Sequence, residues 1–243
     1  EIYTLSLHDA LPIFGARKEK VVCPNCGHEQ EIIVWDSVEV TDSPEAKDAI
    51  MKNELFTFEC VQCGARMPMV QTCLYHDREN RLLVYVVPDY DEAEENQVKD
   101  LINKKEVPVS ENKLDGYMIR IVSSVNALKE KIILKQQGLD DRIIELMKLY
   151  YRGEAITAVG KNKILEILFE PIGEKGGFVF LMQDGSPFFA DFDRDAYETL
   201  KEDMAEKVDE HTSAGYSEIN MDWAKNVMTD ANWKTDKDEN END

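Results

Sequence analysis

The sequence predicts an α+β fold: a β module built on two cysteine turns with a helix inserted between them, followed by helices and a three-stranded antiparallel meander with a packed helix. Three observations carry this. Short β-like runs flank two Cys-x-x-Cys pairs, around residues 20–35 and 55–63. Apolar residues recur at helical spacing over 124–136 and again from Asp140. Three further extended runs, at 164–170, 178–183 and 186–191, are joined by Glu174-Lys175-Gly176-Gly177 and by the hairpin dipeptide Asp184-Gly185.

Taken in order, Val21-Val22 runs into the first cysteine turn, and residues 31–35 return as a strand that ends near Asp36 and Ser37. Ser43-Pro44-Glu45 then opens a helix to about Asn53, because Ser is a good N-cap and Pro is tolerated in the first turn. Residues 55–58 form the strand that enters the second cysteine turn. Residues 66–71 and 81–87 read as extended, with Asp77-Arg78-Glu79-Asn80 a polar turn between them.

Residues 89–96 are acidic and carry no aliphatic side chain larger than Ala, so they read as a linker or surface loop. Residues 117–122 are β-like. The helix that follows carries Val125, Leu128 and Ile132 on one stripe and stops at Gly138. In the next helix Ile143, Leu146, Met147 and Tyr150 define a core face. After the meander, Asp193 caps a helix to about Glu210 whose Tyr197, Leu200, Met204 and Val208 face the sheet. Residues 219–228, with Trp223, supply a last short element, and the acidic and amide residues of 230–243 are expected to be a disordered tail.

With 49 acidic against 28 basic residues among 243, the formal charge is −21. Such a charge opposes approach to nucleic acid or an anionic membrane and favours a basic partner. No apolar run approaches the roughly 20 residues that span a bilayer, and His8 and Asp9 interrupt anything like a signal-peptide core, so a cytoplasmic protein is expected. Residues 1–13 match, in frame, the translation of a common sequencing-adaptor oligonucleotide. They are read as an artefact foreign to the gene and set aside from the fold.

Cys23, Cys26, Cys60 and Cys63 are the strongest chemical signal. Two tight turns, each giving two thiolates and each followed by Gly, are what tetrahedral zinc requires, and Gly27 and Gly64 permit a positive φ just past the second thiolate. The 33 residues between the pairs exceed the usual spacing of about 15–20, and the inserted helix and strand account for the excess. Five cysteines in a chain without an export signal argue against a disulfide framework. Four protein ligands leave no position for water or substrate, so the zinc is expected to organise a ribbon-like module and not to catalyse. Cys73, in an apolar context, reads as a small core residue.

Cys23-Pro24-Asn25-Cys26-Gly27, Trp35-Asp36-Ser37, Leu55-Phe56-Thr57-Phe58, residues 60–64 and Tyr75-His76-Asp77 together resemble the CpXC-domain family. The resemblance continues through residues 120–126, Glu130-Lys131 and residues 138–142, covering roughly 21–149. The second cysteine pair departs from the family's pattern, with Val61 where the first has Pro24. The resemblance implies a prokaryotic, zinc-binding type of domain and no particular activity. The organisation read from the sequence is therefore a zinc-ribbon-like module over 14–90, a linker and helical part over 91–152, an α+β domain over 153–229 and the acidic tail.

Tyr75-His76-Asp77 places an imidazole beside a carboxylate, but adjacent strand residues point apart, and a turn-proximal His bonded to backbone is the plainer expectation. His28 reads as a knuckle-surface residue. The sequence carries no phosphate-binding glycine loop, no Gly-x-Ser-x-Gly elbow and no His-Glu-x-x-His helix. The leading expectation is a non-enzymatic module that binds another protein. The alternatives are an enzyme or thiol redox switch using the Cys-x-x-Cys pairs or Tyr75-His76-Asp77, and a nucleic-acid-binding ribbon, which the charge opposes.

Overall fold

A computed structural model describes residues 15–88, 115–159, 163–173, 176–212 and 217–230. The described residues form eleven strands and five helices. They divide into two compact units, one up to residue 129 and the other from residue 130. The adaptor-like residues 1–13, the acidic linker and the tail beyond residue 230 lie outside the described residues.

The first unit holds two cysteine hairpins and a four-stranded sheet. Strands β1 (Ala16–Val22) and β2 (Glu29–Trp35) pair antiparallel from Ala16↔Trp35 to Val22↔Glu29, with the first cysteine turn as their connection. β4 (Thr57–Glu59) and β5 (Arg66–Pro68) pair the same way around the second. Between the hairpins lies α1 (Pro44–Met51), which starts on a proline whose missing N–H costs nothing there and buries Ala46, Ala49 and Ile50.

The sheet has the order β3-β6-β7-β8, formed by Ser37–Glu39, Cys73–Asp77, Leu82–Val86 and Met118–Val122. β3 runs parallel to β6, β6 antiparallel to β7, and β7 parallel to β8. Every residue of β7, Leu82-Leu83-Val84-Tyr85-Val86, is buried, as befits an interior strand covered on both faces. β3, three residues long, has no periodicity that marks it in the sequence. The run that reads as one strand ending at Trp35 continues after a one-residue pivot at Asp36, whose N–H donates to Gly15 and whose carbonyl receives Leu74. The pairing of β7 with β8 places residues 118–122 in the first unit.

In the second unit β9 (Ile164–Glu170), β10 (Gly177–Met182) and β11 (Pro187–Asp191) form the expected antiparallel meander. Gly185, at φ 72°, sits in its hairpin turn. Phe169, Phe178 and Phe180 are buried in this unit. α4 (Arg194–Glu210) begins at Asp193, whose side chain accepts from the Ala196 amide, and it buries Tyr197, Met204 and Val208. α3 (Asp141–Val159) contacts α4, β9 and α5 (Met221–Asp230). Ile143, Leu146 and Met147 are buried as their spacing predicts, but Tyr150 is 66% exposed. Its neighbour Tyr151 makes the inward contact instead, ring to ring with Phe178 at 4.8 Å.

The division between units falls inside α2 (Val125–Gln136). A buried ionic cluster binds the start of the second unit together. Lys148 reaches Glu130 at 2.6 Å and Glu145 at 2.7 Å, while Lys131 reaches Asp141 at 2.8 Å.

Candidate metal centre

Each cysteine turn is held by its own backbone. The Cys23 amide donates to the carbonyl of His28 and the Gly27 amide to that of Cys23, both at 2.8 Å. The second turn repeats this, Cys60 to Ala65 at 2.9 Å and Gly64 to Cys60 at 2.8 Å. Closing such a turn requires a left-handed residue after the second thiol, and Gly27 and Gly64 supply it at φ 74° and 69°. A β-carbon would meet nothing within 4 Å at either glycine, so the requirement is conformational and not one of space.

The two turns bring their sulfurs together. All four, from Cys23, Cys26, Cys60 and Cys63, lie within 4.8 Å of one another. Cys23 and Cys63 are 3.8 Å apart, Cys26 and Cys60 3.6 Å. Sulfurs at the corners of a tetrahedron around a metal at ~2.3 Å would be separated by ~3.8 Å. The arrangement therefore fits a four-thiolate metal site. It does not fit disulfides, and all five cysteines are free. Cys23 and Cys60 are buried with Phe58 in a small core packed by Val21, Ile32 and Met67, whereas Cys26 and Cys63 face solvent.

Two side chains bridge the turns. Asn25 Nδ2 lies 3.4 Å from Cys63 Sγ, and this hydrogen bond is the largest cause holding the Cys63 thiol down to about 6. Gln30 places its amide group between the hairpins, Nε2 donating to the Glu59 carbonyl at 3.0 Å and Oε1 accepting from the Val61 amide at 2.9 Å. Neither residue was singled out in the sequence. Asn25 sits inside the first motif and was legible there as a candidate donor. Gln30 gains meaning only once the hairpins are placed.

Tyr75-His76-Asp77 does not form an acid–base pair. Asp77 turns to Lys47 at 3.1 Å and to the amide and side chain of Asn80 at 2.9 and 2.8 Å. His76 is buried, and it is bonded to a side chain and not, as expected, to backbone: its Nδ1 lies 2.7 Å from Glu39 Oε2. Glu39 stands directly opposite it in the parallel β3–β6 register. His76 Nε2 lies 3.3 Å from the Tyr117 hydroxyl. His28 is half-buried beside the first turn, and its carbonyl, not its ring, serves the knuckle. Cys73 is fully buried in β6, and burial pushes its thiol up to about 12, as a core residue requires.

These features define a double-knuckle thiol cluster attached to a mixed sheet. A sequence profile of the family described as CpXC protein matches residues 21–148, more than half of the chain, and the chain belongs to that family. No curated protein and no solved structure matches it. Among the described residues, no helix is long and apolar enough to cross a membrane.

Proposed function

We propose that the chain is a non-enzymatic protein-interaction module whose first unit is organised by a structural zinc ion on Cys23, Cys26, Cys60 and Cys63. The convergence of the four sulfurs within 4.8 Å of one another carries this reading. Zinc is the metal suited to four thiolates in tight turns, and four protein ligands leave it no open position for substrate. Bound there, the ion would neutralise the crowded thiolates and lock the two hairpins together.

An interaction role is supported by what surrounds the site. Val22 and Val61, beside the two knuckles, are 59% and 78% exposed. The formal charge of −21 favours a basic partner and opposes nucleic acid. The test is metal analysis on residues 15–243, paired with capture of partners by the metal-loaded chain. One zinc per chain, with a partner lost on chelation, supports the reading; no bound metal overturns it.

A second reading, a thiol redox switch, is favoured by the exposure of Cys26 and Cys63. Release of metal at micromolar peroxide, with recovery after reduction, would select it. Metal that survives the same treatment selects the structural role.

A further inference from the structure

Between the two hairpins the first unit leaves a groove of about 330 Å³ whose exposed lining is mainly apolar. Ile32, Trp35, Phe56, Phe58, Val61 and Met69 are among its walls. One wall is β2 and the other is β4, and each belongs to a two-stranded sheet, so each has one edge without a strand partner among the described residues. An open strand edge is a template for another strand.

Gln30 shows what the space between these edges accepts. Its side-chain amide donates to the Glu59 carbonyl and accepts from the Val61 amide, the two bonds that the N–H and C=O of one residue in an added parallel strand would make to the same positions. At the other end of the groove Gln71 Nε2 donates to the Trp35 carbonyl at 3.1 Å. The chain thus uses glutamine amides against strand backbone at both ends, and the groove lies between them.

The lip of the groove carries Glu31, Glu54 and Glu59, all exposed. Glu31 and Glu59 pair with exposed Lys18 and Arg66, and surface pairs of that kind exchange readily. The net charge of −21 disfavours a second copy of the chain as occupant and favours a cationic one.

We propose that this groove receives an extended, basic segment of a partner protein by strand addition. One apolar side chain of the segment fills the space between Trp35, Phe56 and Phe58, while flanking lysines or arginines meet Glu31, Glu54 and Glu59. The proposal rests on the protein-interaction reading above and gives that interaction its place and chemistry. Alternation of apolar and basic residues along the segment follows from strand geometry, since successive side chains point to opposite sides.

The test uses the metal-loaded chain and a fluorescein-labelled probe peptide, Gly-Lys-Val-Lys-Leu-Lys-Val-Lys-Gly, followed by anisotropy. Two comparison peptides accompany it: one N-methylated at alternate backbone positions, and one with every lysine replaced by glutamate. The expected result is saturable binding of the lysine peptide, weakened at least tenfold by N-methylation, by the glutamate replacements, and by E54K/E59K in the protein. Both substituted positions are exposed, and metal content confirms that the variant is folded.

Equal binding of the N-methylated peptide overturns strand addition. Equal binding of the glutamate peptide overturns the charge selection. Absence of saturable binding up to about 1 mM, the weak limit of specific recognition, overturns the groove as a site. Failure of the wider reading is separable, because a natural partner retained equally by the parent chain and by E54K/E59K defeats the groove and leaves protein interaction standing.

Discussion

Asn25 donates its side-chain amide to the sulfur of Cys63, 3.4 Å away on the opposite knuckle. A hydrogen bond to a thiolate lowers its basicity and fixes its direction, and outer partners of this kind are typically worth about 10–100-fold in metal affinity. N25A should therefore bind zinc roughly tenfold more weakly and release it faster to a competing chelator, while N25D should do worse because it places a second negative charge against the sulfur. Chelator-exchange kinetics check this. Equal release rates for the parent chain and N25A would show that the contact does not act on the metal.

The four ligands should not be equivalent in their effect on folding. Cys23 and Cys60 are also part of the small core with Phe58, so C23S and C60S lose a ligand and place a hydroxyl in an apolar site. C26S and C63S lose only the ligand at an exposed position. All four variants should lose stoichiometric zinc, since structural zinc contributes on the order of 10 kcal/mol to a small module. The two buried substitutions should leave less ordered β structure at saturating metal, a difference that circular dichroism with added zinc would resolve.

His76 gives a pH prediction through its neutral form. Burial is the largest cause holding its imidazole below the usual value of 6.5; the carboxylates of Glu39 and Asp77 pull it up, and Arg78 pushes it down. The unfolded chain then binds the proton more readily than the folded one, so stability falls as pH drops from about 6.5 towards the depressed folded value and levels off below it. H76Q should flatten that part of the profile. Denaturant midpoints of both chains between pH 7 and 5, at matched metal content, measure the difference; parallel slopes would dismiss the histidine as the cause.

The buried cluster of the second unit predicts an asymmetry. Lys148 pairs with both Glu130 and Glu145, so K148M takes the bonded cation from two buried carboxylates and should cost roughly 3–5 kcal/mol. Burial raises the Glu145 pKa, which means the site already disfavours its charge, and E145Q keeps the shape while removing that charge. E145Q should therefore cost far less than K148M in chemical denaturation. A reversal of that order would mean that the ionised pair with Glu145, and not relief of desolvation, dominates the cluster.

What the sequence made legible was local. Cys-x-x-Cys-Gly specifies a turn and its chemistry within five residues, and the hairpin at Asp184-Gly185 and the cap at Asp193 are equally self-contained. What escaped depends on residues distant in the chain. The carboxylate that serves His76 is Glu39, on a strand three residues long that pairs in parallel, and no periodicity announces such a strand. Gln30 reads as an ordinary polar strand residue until β4 stands beside it. Lys131, Glu145 and Lys148 look like a solvated helix face because a charge pattern carries no sign of whether its partners are buried. Tyr150 and Tyr151 differ by one position, which is within the uncertainty of a helix's phase but decides which ring meets Phe178.

The thiols offer a test that joins the metal to the core. Cys73 is fully buried in β6 with its pKa pushed up to about 12, so almost none of it is thiolate at pH 8 and reagent does not reach it in the folded chain. Metal-bound thiolates are likewise protected, so the loaded chain should react with iodoacetamide at none of its five cysteines on the scale of minutes. Chelation should expose four, with Cys63, exposed and with its thiol held down to about 6, reacting first, and the fifth should react only after denaturant unfolds the first unit. Mass spectrometry of the alkylated chain separates the three stages. A fifth thiol that reacts together with the other four on chelation would mean that the sheet holding Cys73 unfolds with the knuckles, and that the metal stabilises the whole unit and not the two hairpins alone.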